Sequence, residues 1–371
     1  MNKYSVPADF NIETINIYKS LNEQHEDKIN ETYGQLNCDT NMFGSGRSSN
    51  NLPYVDEQQL YKYISQSESN NISFNYVLNA SCLSNQEFTR EGMKNIIDFL
   101  KYLLGIGVKS LTVCLPSLIE LIRETGLPFK IKASTVCNIT NADRVRSFLN
   151  MKVDRIVLDE SINRNFCELK NIINLTDQVE MIVNVVCYKN CIYRPFHHNQ
   201  MSHDYKWDKP CVSYYSHRCI MKRIEMPENI LKMPFIRPDD ISYYEKLGIH
   251  YYKIQGRQAV MNGNIIKTVI SYLNKLYDGD LLDLLDCFSP TNSFRIPIDN
   301  RKLDGFIMPF ITSDFCKDNC ESCLYCKKFF SKNFSFDEYL KINELAMKFY
   351  NSTDDYKKML NNILEPNYDK K

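Results

Sequence analysis

"KSLTVCLPSLIELIRETGLPFKIKAST", residues 109–135, decides the fold. Its first seven residues are rich in β-branched and apolar side chains and read as a buried strand. Pro116 then opens a run in which Leu118, Ile119, Leu121 and Ile122 recur at helical spacing, and Gly126 stops it. "FKIKAST" (129–135) returns to an alternating strand pattern. A strand, a short amphipathic helix and a second strand in so few residues form a βαβ unit, which requires a parallel sheet.

Outward from this unit the same pattern repeats. Strands are expected at 28–34, 72–79, 109–115, 129–135, 153–159, 180–186, 231–237 and 251–255, with helical periodicity between most of them, as in "EQQLYKYISQS" and "NADRVRSFLNM". Eight repeats predict an α/β chain folded as a closed (β/α)8 TIM-like barrel over residues 1–280. "NAD" (141–143) and "RPDD" (237–240) supply helix starts, while Gly105, Gly126 and Gly248 fall where helices should end. Beyond 280 the alternation fails, and 281–371 reads as a small C-terminal cysteine-rich appendage ending in an amphipathic helix at 336–349.

The chain has 371 residues, 43% of them hydrophobic, with 45 basic and 45 acidic side chains. A balanced charge gives no bulk electrostatic case for nucleic acid or a membrane surface. The start lacks the apolar core of a secretory signal and no long uncharged apolar run follows, so a cytoplasmic protein with no membrane association is expected. In a reducing compartment its 14 cysteines argue for metal ligation over disulfides.

Two loops are too long for ordinary barrel connections, one at about 35–57 and one after the sixth expected strand, at 187–230. In a barrel both would rise from the C-terminal face, where active sites sit. The second carries Cys187, Cys191, Cys211 and Cys219, with Cys187 expected as the last residue of a core strand. Four thiolates from one loop suit a [4Fe–4S] cluster or a tetrahedral zinc ion, and ligand count does not choose between them. Free cysteines also pack as small hydrophobes, and His197, His198, His203 or His217 could replace Cys219. The appendage carries "CKDNCESCLYC", in which Cys316, Cys320, Cys323 and Cys326 are too close for relaxed disulfides in most pairings, so a second iron–sulfur cluster or a structural zinc is expected. Its C-x3-C-x2-C run is similar to the cluster triad of radical S-adenosylmethionine enzymes, but stands after the last strand and not the first.

Arg47, Arg237 and Arg257 are expected after barrel strands with Lys253 inside the last, a set suited to an anionic ligand; the plainer reading pairs each with a nearby acid, such as Arg237 with Asp239 or Asp240. Asn79 joins them as a candidate substrate contact. Glu31 and Asp159 at strand ends are candidate general bases, or hold neighbouring loops. His197 and His198 could shuttle protons, ligate metal or cap the loop. Tyr205, Trp207, Tyr214 and Tyr215 give the loop an aromatic lining.

"FIRPDDISYYEKLGIHYYKIQGRQ" (235–258) resembles the segment that follows the cysteine loop in the peptidase U32 family. With "VNVVC" (183–187), "FNYVLNASCLSNQEFT" (74–89) and "ETYGQL" and "FGSGR" in the first unit, the resemblance covers about residues 25–275. It implies a barrel that binds a [4Fe–4S] cluster through the four loop cysteines and supports oxygen-independent hydroxylation of a small aromatic or an RNA base. Other members were named collagenase-like peptidases, so a metal-dependent peptidase acting on peptides is the alternative. A third reading is a non-catalytic iron–sulfur or zinc scaffold, since members work with a heteromeric partner. The chain departs from the usual family pattern in its cysteine spacing, its opening residues and its C-terminal cysteines, as a divergent branch would.

Overall fold

The computed structural model describes residues 1–38, 43–203, 212–290, 297–313 and 315–364. Eight parallel strands close a barrel in chain order: β1 (Lys3–Pro7), β2 (Lys28–Gly34), β3 (Ser73–Leu78), β4 (Ser110–Val113), β5 (Lys130–Ala133), β6 (Arg155–Val157), β7 (Val179–Ile182) and β8 (Tyr251–Lys253), with β8 pairing back to β1. The (β/α)8 fold is as expected, but two strand assignments change. "KYSVP" is the first strand, and "LKMPFIR" is not a strand. Its Leu231 and Lys232 end a 3-10 helix, Pro234 interrupts the run, and only the Ile236 N–H joins the sheet backbone, donating to Val183 O at 2.8 Å. The cysteine loop therefore follows the seventh strand and not the sixth. β7 ends at Ile182, so Cys187 stands five residues beyond the strand and not at its tip.

Helices surround the barrel where the periodicity placed them. Asn141 caps Ala142–Asn150 by accepting from Arg144 N at 2.9 Å, Thr89 caps Arg90–Gly105, and Gly126 and Gly248 adopt left-handed φ after their helices. Strand side chains pointing at the helices are apolar and buried: Tyr4, Val6, Ile29, Phe74, Tyr76, Leu111, Ile131, Ile156, Met181 and Tyr252 belong to one hydrophobic cluster. That cluster continues beyond residue 280 through Leu281, Leu284, Ile298, Leu303 and Phe306, from helix Leu281–Leu285 and the connector after it. Further helices follow at Met308–Thr312, Cys320–Cys323, Tyr325–Asn333, Phe336–Ser352 and Asp355–Leu364. No helix among the described residues is long and apolar enough to cross a membrane.

The barrel interior is polar at mid-height, where branched apolar residues usually dominate. Lys132 Nζ lies 2.5 Å from Glu31 Oε1 and 2.5 Å from Glu180 Oε2, all three buried. Ser5 Oγ donates to Glu31 Oε1 at 2.9 Å, Asn75 Nδ2 to Glu31 Oε2 at 3.4 Å, and Thr112 Oγ1 to Asn75 Oδ1 at 2.6 Å. Glu31 thus sits three residues below the end of β2, inside the barrel, and is not the mouth base the sequence suggested.

One contact at the second helix layer gives a sharp mutational contrast. A Cβ on Gly92 would lie 2.0 Å from the Gln86 carbonyl oxygen, a backbone atom that cannot swing aside, whereas a Cβ on Gly105 meets nothing within 4 Å. Gly92→Ala is expected to lower unfolding free energy by about 2–3 kcal/mol. Gly105→Ala, at the end of the same helix, should raise it by about 0.5–1 kcal/mol. Urea denaturation of the two variants beside wild type checks both signs.

Candidate active site at the barrel mouth

The C-terminal ends of the strands enclose a chamber of about 70 Å³. Lys253 from β8 and Tyr33 from β2 line its lower part, with Lys253 Nζ 3.7 Å from the Tyr33 ring centre. Arg47 and Arg257, from the loops after β2 and β8, line the upper part with Asn79, Ser134, Glu160, His198 and Gln255. Arg257 Nη1 donates to Gln35 Oε1 at 2.7 Å, and Arg47 Nη2 donates to Gln255 Oε1 at 3.4 Å. Among the described residues neither arginine, nor Lys253, forms an ion pair with a carboxylate, although Lys253 and Arg257 are each only 8% exposed. Burial, then Lys132, pushes Lys253 down to about 8, and burial, then Arg47, pushes Arg257 down to about 10. Such crowding of buried cations is costly unless an anion enters.

Asn79 holds the upper wall. Its Oδ1 accepts from Gly46 N at 2.9 Å and its Nδ2 donates to Ser134 Oγ at 3.2 Å, which ties the Arg47 loop to β5. Gln255 is fixed by exchange with Asn184, N to Oδ1 at 2.8 Å and Nε2 to the main-chain oxygen at 2.7 Å.

Helix Arg194–His203 lies across the mouth. Ser81 N donates to Ser202 Oγ at 2.9 Å and Ser81 Oγ to Asn199 Oδ1 at 2.6 Å, and Arg47 reaches Met201 Sδ. The helix start is anchored by Arg194, buried and ion-paired with both Asp159 and Glu160. His197 and His198 sit on this helix. Burial, then Arg47, pushes His197 down to about 4 and His198 to about 3, so both imidazoles are neutral at physiological pH. His198 Nδ1 is buried with no hydrogen-bond partner among the described residues, and the side chain lines the chamber.

Besides Glu31, two expected mouth residues are elsewhere. Arg237 forms a two-pronged pair with Asp240, Nε to Oδ2 at 2.8 Å and Nη2 to Oδ1 at 2.9 Å, while its Nη1 donates to Asn300 O at 2.7 Å and to Asp304. It clamps the connector after residue 297 to the barrel, since "RPDD" is a helix start and not a strand end. Asp159 is spent on Arg194 and on capping Ser161 N at 2.8 Å. Its neighbour Glu160 is the acid that faces the chamber, and it also accepts from Thr135 Oγ1 at 2.5 Å. Against burial, Arg194 and Thr135 hold Glu160 below the usual carboxylate range. Sequence reading missed Ser134, Thr135, Glu160, Gln255 and Arg194. Gln255 could have been found from the two-residue spacing to Lys253, which puts both on one strand face.

Cys187 packs against Val157, Ile182 and Val185, and Val157 and Ile182 also line the chamber, so the first cysteine abuts the mouth wall. Burial, then Glu160, pushes its thiol up to about 12, and Cys219 and Cys191 are close enough to add to the rise. Arg223 donates to Val186 O at 3.0 Å and lies close enough to Cys219 for the thiol to favour its charged form, and Arg194 offsets part of the Cys187 shift. Cys211 lies outside the described residues, as do Tyr205 and Trp207. Cys316, Cys320, Cys323 and Cys326 all line one cavity of about 60 Å³. Among the described residues no three Cys, His, Asp or Glu side chains converge closely enough for a single metal ion.

The sequence profile of peptidase family U32 matches residues 47–282. The uncharacterized protease MJ1657 of Methanocaldococcus jannaschii is 32% identical over 335 residues, which cover 88% of this chain and 97% of that protein. The solved structure of the U32 peptidase Mk0906 superposes with a TM-score of 0.50 at 14% identity, covering 68% of this chain and 92% of that one, a likeness of fold. The chain belongs to peptidase family U32.

Proposed function

We propose that the chain is an iron–sulfur enzyme of the oxygen-independent modifying type, a hydroxylase in reaction class, that takes an anionic substrate at the barrel mouth. The observation that carries the anionic part is the meeting of Arg47, Lys253 and Arg257 in one buried chamber with no carboxylate paired to any of them among the described residues. Two guanidinium groups and an ammonium would hold carboxylate or phosphate oxygens in a fixed orientation. His198, held neutral by burial and Arg47 and with Nδ1 unpartnered among the described residues, would accept a hydrogen bond from a substrate N–H or O–H at that atom. Helix Arg194–His203 excludes water above it, and the Arg194 pairs with Asp159 and Glu160 hold that helix in register with the strand ends.

Support for the cluster is the donor chemistry. Cys187, Cys191 and Cys219 lie within electrostatic reach of one another, Arg194 and Arg223 stand by to balance thiolate charge, and Cys211 would complete the set. A [4Fe–4S] cluster bound there would supply one-electron transfer beside the mouth wall. The four C-terminal thiols line one cavity and would hold a second cluster or a structural zinc.

The described residues offer no support for the family's peptidase label. Among the described residues no histidine ring nitrogen bonds a serine, threonine or cysteine side chain, and the mouth hydroxyls of Ser134 and Thr135 are engaged by Asn79 and Glu160.

Anaerobic purification followed by iron and acid-labile sulfide counts tests the reading. Wild type should carry iron and sulfide in equal amounts with broad visible absorption. Cys187→Ser should lose the iron and sulfide of the mouth cluster, leaving only what the C-terminal cysteines hold, and all turnover, while keeping its circular dichroism. Zinc without sulfide in wild type would remove the redox mechanism.

A further inference from the structure

A cavity much larger than the mouth chamber lies elsewhere on the barrel. It holds about 780 Å³ on the barrel flank, between helices Phe166–Ile173 and Ile241–Glu245 on one side and the cysteine loop and C-terminal segment on the other. It shares no lining residue with the mouth chamber. That volume lies within the ~300–1,000 Å³ of sites that bury a small organic ligand, whereas the mouth chamber is an order of magnitude smaller.

Two independent features say what would fill it. The first is charge. Lys170, Lys189, Lys222, Lys232 and Lys246 ring the cavity from five different segments, against, among the described residues, a single lining carboxylate, Asp318, which Lys189 already pairs at 2.7 Å. Scattered surface lysines would keep a face solvated, but these converge on a concavity. The second is Arg164 at the floor. Its Nη1 donates to Leu231 O at 2.7 Å, its guanidinium lies 4.5 Å from the Phe235 ring centre and 5.5 Å from that of Phe310, and it has no carboxylate partner among the described residues. A guanidinium held by carbonyls and aromatic faces has no ion-pair partner among them, and the nearest cavity-lining groups that could carry negative charge are the Cys326 and Cys316 thiols, on the edge of the cavity that the C-terminal cysteines share. Around it the walls are flat and apolar: Phe166, Tyr188, Tyr243 and Phe310 all contribute.

We propose that this flank cavity is a second ligand site, for a small organic anion with a flat aromatic body. The body lies against the ring walls, and the carboxylate or phosphate meets Arg164 and the lysine ring. Charge alone would accept any anion and apolar walls any hydrophobe, so the two together select a molecule that carries both.

The test uses the full chain and three probes by calorimetric titration: phenyl phosphate, inorganic phosphate and benzyl alcohol. Phenyl phosphate should bind in the micromolar to low millimolar range, at least tenfold tighter than the probe lacking the ring or the probe lacking the charge. Lys170→Glu with Lys246→Glu, both exposed side chains, should weaken it at least tenfold, while Lys62→Glu with Lys94→Glu on the opposite helices should not. Arg257→Met, which removes the anion contact at the mouth, should leave the part of phenyl phosphate binding that Lys170→Glu with Lys246→Glu removes unchanged, which separates this site from the mouth. Equal binding of the three probes, absence of saturable phenyl phosphate binding, or equal affinity in the Lys170 and Lys246 double variant overturns the proposal. Inorganic phosphate competing as well as phenyl phosphate would identify a plain anion site and overturn the aromatic part.

Discussion

Lys132→Met is expected to lower unfolding free energy by about 3–5 kcal/mol at neutral pH, because it strands two carboxylates inside a closed barrel. Lys132, Glu31 and Glu180 are each at most 6% exposed at the side chain, and the ammonium sits 2.5 Å from an oxygen of each acid. Removing one partner of a buried ion pair leaves the full desolvation cost of the other. Replacing all three by uncharged groups of similar shape, Lys132→Met with Glu31→Gln and Glu180→Gln, should recover most of the loss. The pH dependence gives a second readout. Burial alone would raise Glu180, but Lys132, Lys253 and Arg155 outweigh it and bring the group from 4.5 to about 2. A depressed carboxylate stabilises the fold above its unfolded value and loses that contribution as pH falls, here from about 4.5 to about 2, a displacement worth about 3 kcal/mol. Wild type should therefore weaken steeply over that window, and the Lys132→Met variant much less. Urea midpoints at pH 7 and at pH 3 decide it. A variant within about 1 kcal/mol of wild type would mean that the interior charges do not hold the barrel together.

The barrel was legible because its signal is redundant. In 109–135 the strand pattern, Pro116, the helical spacing of Leu118, Ile119 and Ile122, and Gly126 all point to one unit, and the structure has β4, helix Pro116–Glu124 and β5 there. "KYSVP" failed as a strand signal because it is five residues long, ends in proline and opens the chain. It is a strand because β2 and β8 flank it on both sides, a long-range fact. "LKMPFIR" misled for the opposite reason: its apolar residues are buried, but Pro234 cannot extend a ladder, and Arg237 turns outward to Asp240. That one-strand displacement moved the cysteine loop and sent Arg237 to a mouth it never reaches. Arg47, Asn79, Lys253 and Arg257 line the mouth chamber, since strand ends set direction. The sequence could not give Glu160 in place of Asp159, because which of two adjacent acids faces the chamber depends on the turn after β6 and on where Arg194 arrives from 35 residues away.

Arg257→Met is expected to stabilise the ligand-free protein while removing its capacity to hold an anion, a pairing of effects that only a site built for absent negative charge would show. Arg257 is buried, bonded to neutral Gln35 and Ser45, and faces Arg47 across the chamber. Folding pushes it from 12.5 down to about 10, and Lys253 below it from 10.5 to about 8. For a cation the sign runs opposite to that of Glu180. The folded chain releases the Lys253 proton before the unfolded chain does, so stability should rise with pH between about 8 and 10.5. Anion binding should fade over the same rise, because the ammonium that holds the anion is discharged. Replacing a desolvated, unpaired cation by an apolar side chain of similar length commonly adds about 1–4 kcal/mol, and about 2 kcal/mol is expected here after the loss of two hydrogen bonds. Malonate, a small dicarboxylate, should raise the melting temperature of wild type over a chloride control at equal ionic strength, and the shift should follow ligand concentration as preferential binding to the folded state requires. In Arg257→Met that shift should vanish, and turnover should drop by two to three orders of magnitude, since orientation as well as affinity depends on the guanidinium. A variant less stable than wild type would give Arg257 a structural role, with Gln35 and Ser45 as its purpose. An unchanged malonate shift would take the anion away from the mouth altogether.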